Sequence, residues 1–252
     1  MDDIVSNLPV ILASTVALVL GGLVKGVISI GLPLASLPLL LFFLDVKTAI
    51  ALLMVPLVLS NLIQAIEGPG LLALIKRFWP LLLALAIGTL IGTALFAALD
   101  RRILLLTIGP LAIVMSSISM WKSNFVVPPE SERWLGPPIG FVSGVIGGMS
   151  TLFGPILAIY VVGLKLPRDT FVKAIALLYV TASSFLLLGG ASMGSTGTQL
   201  VILSALGMIP VYIGMRIGLR IRNRIDPERF RMIVLAVVWL TGANMIRLGL
   251  GY

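Results

Sequence analysis

The hydrophobic positions of this chain form long uninterrupted runs, and nearly all Asp, Glu, Lys and Arg fall in the short stretches between them. A run of about 20 apolar residues is long enough to cross a bilayer's hydrocarbon core as a helix. The pattern predicts helices over Leu8–Leu44, Ala49–Ile66, Trp79–Leu99, Ile103–Trp121, Trp134–Leu164, Phe171–Leu188, Thr198–Leu219 and Met232–Leu250. Six of these have ordinary spanning lengths. The first and fifth, at 37 and 31 residues, are too long for one straight crossing, and each holds a Gly/Pro cluster, Gly31–Pro33 and Phe153–Pro155. Proline lacks an N–H and clashes with the preceding turn, so both segments should break there. Membrane barrel strands alternate apolar and polar residues, which these runs do not.

Composition agrees. Of the 252 residues, 59% are hydrophobic and 11% charged, against about 45–50% apolar and about 25% charged in a soluble domain. The predicted fold is an all-α polytopic membrane protein with about eight transmembrane helices. The opening MDDIVSNLP is acidic and does not read as a cleavable signal peptide. Without cysteine or histidine the sequence offers no thiol, no zinc or haem site and no usual general base. It also has no GxxxxGK[ST] phosphate loop. No cofactor, metal or enzymatic activity is expected. The net charge of +8 does not point to nucleic acid, because the cations sit in loops between spans and so report orientation.

If each long segment crosses once, twelve cations fall on one side: Lys47, Arg101, Arg102, Lys165, Arg168, Lys173, Arg216, Arg220, Arg222, Arg224, Arg229 and Arg231. Five fall on the other, Lys76, Arg77, Lys122, Arg133 and Arg247, and Lys25 lies inside a span. The positive-inside rule then makes the first side cytoplasmic and puts both termini outside, in a multi-pass inner-membrane protein. Trp79, Trp121 and Trp134 fall at outer ends of spans, as an interfacial belt would.

The chain also contains an internal repeat. AIALLMV at Ala49–Val55 recurs as AIALLYV at Ala174–Val180, and Gly22, Gly26, Pro33 and Gly92 match Gly144, Gly148, Pro155 and Gly214 at a constant offset. This divides the chain into a first transmembrane repeat at 1–123, an extracytoplasmic linker at 124–133 and a second repeat at 134–252. Each repeat holds four helices. With four crossings per half, the repeats should be parallel. Hairpins that do not cross are the alternative.

Broken helices at matching places in two halves point to a substrate site, because a break frees backbone groups that hydrocarbon cannot satisfy. The half-helix after each break also presents a positive dipole end to an anion. Gly31, Leu32 and Pro33 in the first break, and Gly154 and Pro155 in the second, are therefore candidate substrate contacts. Gly22, Gly26, Gly144 and Gly148 are better read as close-packing positions. Lys25 is the only charged residue well inside a span. An intramembrane lysine is costly and so suggests function, with snorkelling or pairing to a carbonyl as the other reading. Polar residues at depth include Ser29, Ser36, Asn61, Gln64, Ser150, Thr151, Thr181, Ser183 and Ser184. Of these, Ser29, Asn61, Gln64, Ser150 and Thr151 join the candidate site. Asn61 and Gln64 share a helix face and equally fit interhelical glue. No carboxylate lies within a span, which disfavours a cation substrate.

Two Gly-rich broken segments ending in Pro, in duplicated halves, resemble the TauE/SafE sulfite exporter family. The residues are Gly21, Gly22, Gly26, Gly31 and Pro33 in the first half, and Gly140, Gly144, Gly147, Gly148, Gly154 and Pro155 in the second. Lys25 stands where Gly147 aligns, a departure from the glycine pattern. The resemblance implies export of small sulfur oxyanions, sulfite or organosulfonates such as sulfoacetate, from the bacterial cytoplasm. The predicted function is a transporter with a midplane site between the repeats. The alternative is an anion channel, or a carrier for another small anionic metabolite. The expected partners are the anionic substrate and the lipid bilayer, with no nucleic acid. Trp239, Asn244 and Arg247 are compatible with a homodimer contact, without a pattern that asserts one.

Overall fold

The computed structural model describes residues 7–29, 31–120, 126–192, 198–224 and 226–251. Among these the chain is helical throughout, in the order α1 (Leu8–Ile28), α2 (Leu32–Leu40), α3 (Val46–Ile66), α4 (Leu71–Ala98), α5 (Arg101–Met120), α6 (Pro129–Ser150), α7 (Gly154–Gly163), α8 (Arg168–Ser192), α9 (Thr198–Leu206), α10 (Met208–Ile221) and α11 (Pro227–Leu250), with a 3-10 turn at Arg222–Arg224. Helices satisfy their own backbone hydrogen bonds, which hydrocarbon demands. Among the described residues, seven stretches are long and apolar enough to cross a membrane: α1, α3, α4, α5, α8, the combined α9–α10 and α11. α6 is 22 residues long but rich in glycine, proline and serine after a charged first turn, so it is not apolar enough to join that set. The protein is an all-α polytopic membrane protein.

Both long segments break where the prolines predict. α1 ends at Ser29 with a left-handed φ of 68°, and α2 starts after Gly31 at φ 99°. α6 ends at Thr151 with φ 62°, and α7 carries Pro155 in its first turn. Left-handed Ser and Thr are unusual, so the reversals are enforced by their surroundings.

The direction after each break corrects the single-crossing expectation. In the first segment Ser36 Oγ donates to the Ala17 carbonyl at 3.1 Å, and a Cβ on Gly21 would meet Ser36 and the Leu32 carbonyl. α2 therefore runs back along α1. In the second, Tyr160 Oη donates to the Glu132 carbonyl at 3.0 Å and Val127 N–H donates to the Gly163 carbonyl at 2.9 Å. α7 runs back along α6. Each long segment is a hairpin whose ends share one side, so each half has an odd number of passes. The parallel relation between halves, which depended on single crossings, does not hold: α6 enters from the end opposite to α1.

Helix pairings fix the two ends of the molecule. α1 and α3 run parallel, joined by Lys25–Asn61 and Ser29–Gln64 contacts. α5 and α11 run antiparallel, with Arg102 Nε donating to the Gly249 carbonyl at 3.2 Å. One end gathers Asn7, residues 41–45, residues 99–100 and the C-terminal end of α11. The other gathers residues 67–70, 126–128, 164–167 and 222–224, where Lys173 Nζ donates to the Pro69 carbonyl at 2.5 Å. The side chains of Trp79 and Trp134 are both exposed. Trp121, Lys122, Asp2 and Asp3 lie outside the described residues.

Glycine contacts hold the halves together. A Cβ on Gly88 or Gly92 of α4 would collide with the Phe141 or Val145 carbonyl of α6, and one on Gly140, Gly144 or Gly148 would strike the backbone of α4. The same arrangement recurs where Gly22 and Gly26 of α1 meet Val211 and Met215 of α10. With no Cβ between them, two backbones approach closely enough to replace lipid contacts by dispersion. The four glycines read as packing positions are packing positions.

Candidate functional site

The two breaks converge. Gly31, Pro33 and Leu34 from the first, and Thr151, Leu152, Phe153 and Gly154 from the second, line one cavity together with Leu57 and Asn61 of α3 and Tyr179 and Ser183 of α8. Leu57 lies near the middle of α3 and Tyr179 near the middle of α8, so the cavity sits deep within the helix array. Its volume is about 20 Å³, which is room for about one water.

Several features favour an anion here. α2 and α7, of 9 and 10 residues, both begin at this cavity. The first N–H groups of a helix have no intrahelical partner and carry the positive end of its dipole. Proline occupies the second position of each half-helix, fixing φ without withdrawing a needed donor. The Thr151 hydroxyl is buried without a hydrogen-bond partner. The Tyr179 hydroxyl packs against Gly154, where a Cβ would come within 2.5 Å of it. Ser183 Oγ donates to the Tyr179 carbonyl at 2.6 Å. No carboxylate lines the cavity.

Lys25 stands one side chain behind this lining. It is 2% exposed, and its ammonium donates to Asn61 Oδ1, while Asn61 Nδ2 donates to the Leu57 carbonyl at 2.7 Å. One amide hydrogen of Asn61 remains for a ligand. Lys25 does not snorkel out: its charge is held inside by a neutral carbonyl-type acceptor.

Of the candidate residues, Gly31, Pro33, Asn61, Thr151 and Gly154 line the cavity. The others lie around it. Gln64 Nε2 donates to the Ser29 carbonyl at 3.2 Å, closing the turn after α1, and leaves Gln64 Oε1 buried without a partner. Ser150 Oγ donates to the Ile146 carbonyl at 2.7 Å and accepts from the Leu152 N–H at 3.2 Å, which shapes the second break. Leu32 and Pro155 are buried in the half-helix starts without lining the space. Sequence reasoning missed Tyr179 as a site residue and named Ser183 only among polar residues at depth. A signal existed: within the repeated heptapeptide, Tyr179 is the single difference, replacing Met54.

A helical array with two broken hairpins meeting at a carboxylate-free, donor-lined cavity is the architecture of a membrane transporter. The chain matches the family model described as sulfite exporter TauE/SafE over residues 14–245. It belongs to that family, whose members are membrane exporters of sulfite and related anions rather than enzymes. No curated protein and no solved structure matches the chain.

Proposed function

We propose that the protein exports small sulfur oxyanions, sulfite or organosulfonates such as sulfoacetate, from the cytoplasm through the cavity between the two breaks. The observation that carries this reading is the convergence of both half-helix starts on one cavity. The unpaired N–H groups at Leu32, Leu34, Gly154 and Ile156 would bind the oxygens, with the Thr151 and Tyr179 hydroxyls and the amide of Asn61. In its protonated form Lys25 would add positive charge behind them. A cavity of about 20 Å³ holds no more than about one water, so the conformation described is contracted, and binding requires the hairpins to separate. A space this narrow favours a carrier over an open anion channel.

Repeats at 1–123 and 134–252, joined by a linker at 124–133, are inverted in this reading, with their pseudo-two-fold in the membrane plane. Three pairings support it: α4 with α6, α1 with α10, and α5 with α11. Exchange of the halves converts the first into the second and the third into itself.

The orientation follows from the charges. At the end that gathers residues 67–70 and 164–167, chain position puts Lys76, Arg77, Arg133, Lys165, Arg168, Lys173, Arg216, Arg220, Arg222, Arg224, Arg229 and Arg231. The opposite end has Lys47, Arg101, Arg102 and Arg247. The first end is cytoplasmic by the positive-inside rule, with both termini outside. The described part of the linker, residues 126–133, then lies on the cytoplasmic side, the reverse of the side that single crossings gave it.

The test is flux. Purified protein in liposomes should give saturable counterflow of labelled sulfite or sulfoacetate. Absence of flux for every sulfur oxyanion overturns the reading, and currents far above carrier rates favour the channel.

A further inference from the structure

A second pocket, of about 360 Å³, opens where α4 and α6 begin and α7 ends, and shares no lining residue with the cavity between the breaks. It is lined by the cations Lys76, Arg77 and Arg133, by Trp79 and by Tyr160. Its only carboxylate, Glu132, is already engaged: Arg77 Nε donates to Oε1 at 2.6 Å and an Arg77 terminal nitrogen to Oε2 at 2.7 Å. Among the described residues, Lys76 and Arg133 form no ion pair. The pocket therefore carries two uncompensated positive charges in a volume suited to a small ligand.

Its depth and its neighbours identify that ligand's class. Trp79 is 54% exposed and Trp134 on the adjoining helix is 82% exposed. Paired exposed tryptophans beside cations mark the headgroup level of a bilayer. From Trp79 a stripe of exposed apolar side chains, Leu83, Ile87 and Ile91, continues down α4 at four-residue spacing, which keeps them on one helix face. Cations at headgroup depth above an apolar, lipid-facing track match a phosphate joined to an acyl chain. Basic pockets of this kind between helices on the cytoplasmic side take anionic lipid headgroups.

We propose that this pocket binds one anionic phospholipid, its phosphate held by Lys76 and Arg133 and an acyl chain lying along the Trp79–Ile91 face of α4. The proposal rests on the membrane location of the chain and uses the orientation above only to assign the cytoplasmic leaflet.

The experiment is lipid titration of the purified, detergent-solubilised protein, read as thermal stability and as lipid adducts retained in native mass spectrometry. The probes are phosphatidylglycerol, phosphatidylcholine and glycerol 3-phosphate. The expected result is at least tenfold tighter binding and a larger upward shift in Tm with phosphatidylglycerol than with phosphatidylcholine, and no shift with glycerol 3-phosphate. K76Q/R133Q should abolish that preference. Equal response to both lipids overturns the proposal, as does a double variant that keeps the preference. An equal response to glycerol 3-phosphate overturns the lipid assignment in favour of a soluble anion. If the double variant fails to fold, the three probes on the native protein still decide. No sulfite flux enters the readout, so failure here leaves the export reading intact, and absence of flux leaves this one intact.

Discussion

The ammonium of Lys25 donates to the side-chain carbonyl of Asn61, and Asn61 borders the cavity between the two breaks. A cation buried in the helix array without a carboxylate costs desolvation that a single neutral acceptor does not fully offset. A bound anion would supply the missing counter-charge. As a general scale, opposite unit charges about 8 Å apart attract by about 2 kcal/mol at an effective dielectric of about 20. Lys25→Met keeps the apolar stem and removes the charge. Sulfite affinity, measured by calorimetric titration, should fall more than tenfold while Tm stays level or rises. Native affinity in K25M would remove Lys25 from the site.

Gly154 and Tyr179 form a second dependency. An alanine at 154 would press its Cβ on the Tyr179 hydroxyl, and overpacking a filled interior typically costs about 1–3 kcal/mol. Gly154→Ala should lower Tm by several degrees. Tyr179→Phe removes the opposing atom, so G154A/Y179F should recover most of that loss, a non-additive pair in a double-mutant cycle. Transport should stay impaired in the double variant, because the hydroxyl offered to the anion is gone. Simple additivity in Tm would show that the two residues do not meet.

Much of this was legible in the residue order, for reasons that differ by feature. Pro33 and Pro155 announced the breaks because proline's geometry acts locally, whatever surrounds it. Gly22, Gly26, Gly144 and Gly148 announced close packing because the absence of a side chain is itself the signal. The direction of α2 and α7 was not legible. Hydropathy has no sign along the helix axis, and both limbs of each hairpin are equally apolar, so a return reads like a continuation. That one ambiguity inverted the inferred relation between the halves. The charge count could not expose it, because cations of the first half exchange sides as a group. Tyr179 became a site residue only through tertiary convergence of α8 with the second break. Gly147, aligned with Lys25, is covered by the Phe153 ring, so the two breaks are not chemically equivalent.

The glycine contacts between α4 and α6 should tolerate nothing larger. Gly144→Val would drive a branched side chain into the Leu85 carbonyl and the Thr89 N–H, with no flexible neighbour to yield. Loss of the folded protein is expected, seen as aggregation in detergent size-exclusion chromatography. Gly70→Ala is the contrast. A Cβ there meets nothing within 4 Å, and only the left-handed φ of 102° opposes it. That variant should elute as the native protein, with a cost of about 1 kcal/mol. Equal behaviour of the two variants would dismiss the close α4–α6 approach.

The hairpin reversal has a topological consequence that separates it from single crossings. The native chain contains no cysteine, so single-cysteine variants report accessibility without background. In a hairpin, the chain before α1 and residues 41–45 share one side. In a single crossing they lie on opposite sides. Asn7→Cys and Phe42→Cys, the latter at a position 72% exposed, should both react with a membrane-impermeant maleimide added to intact cells. Leu166→Cys, between α7 and α8, should react only after permeabilisation. As an independent check on the fold, Ala17→Cys with Ser36→Cys should cross-link, because Ser36 hydrogen-bonds to the Ala17 backbone. Labelling of Asn7→Cys from outside with Phe42→Cys protected until permeabilisation would restore the single crossing, and with it the parallel arrangement of the halves.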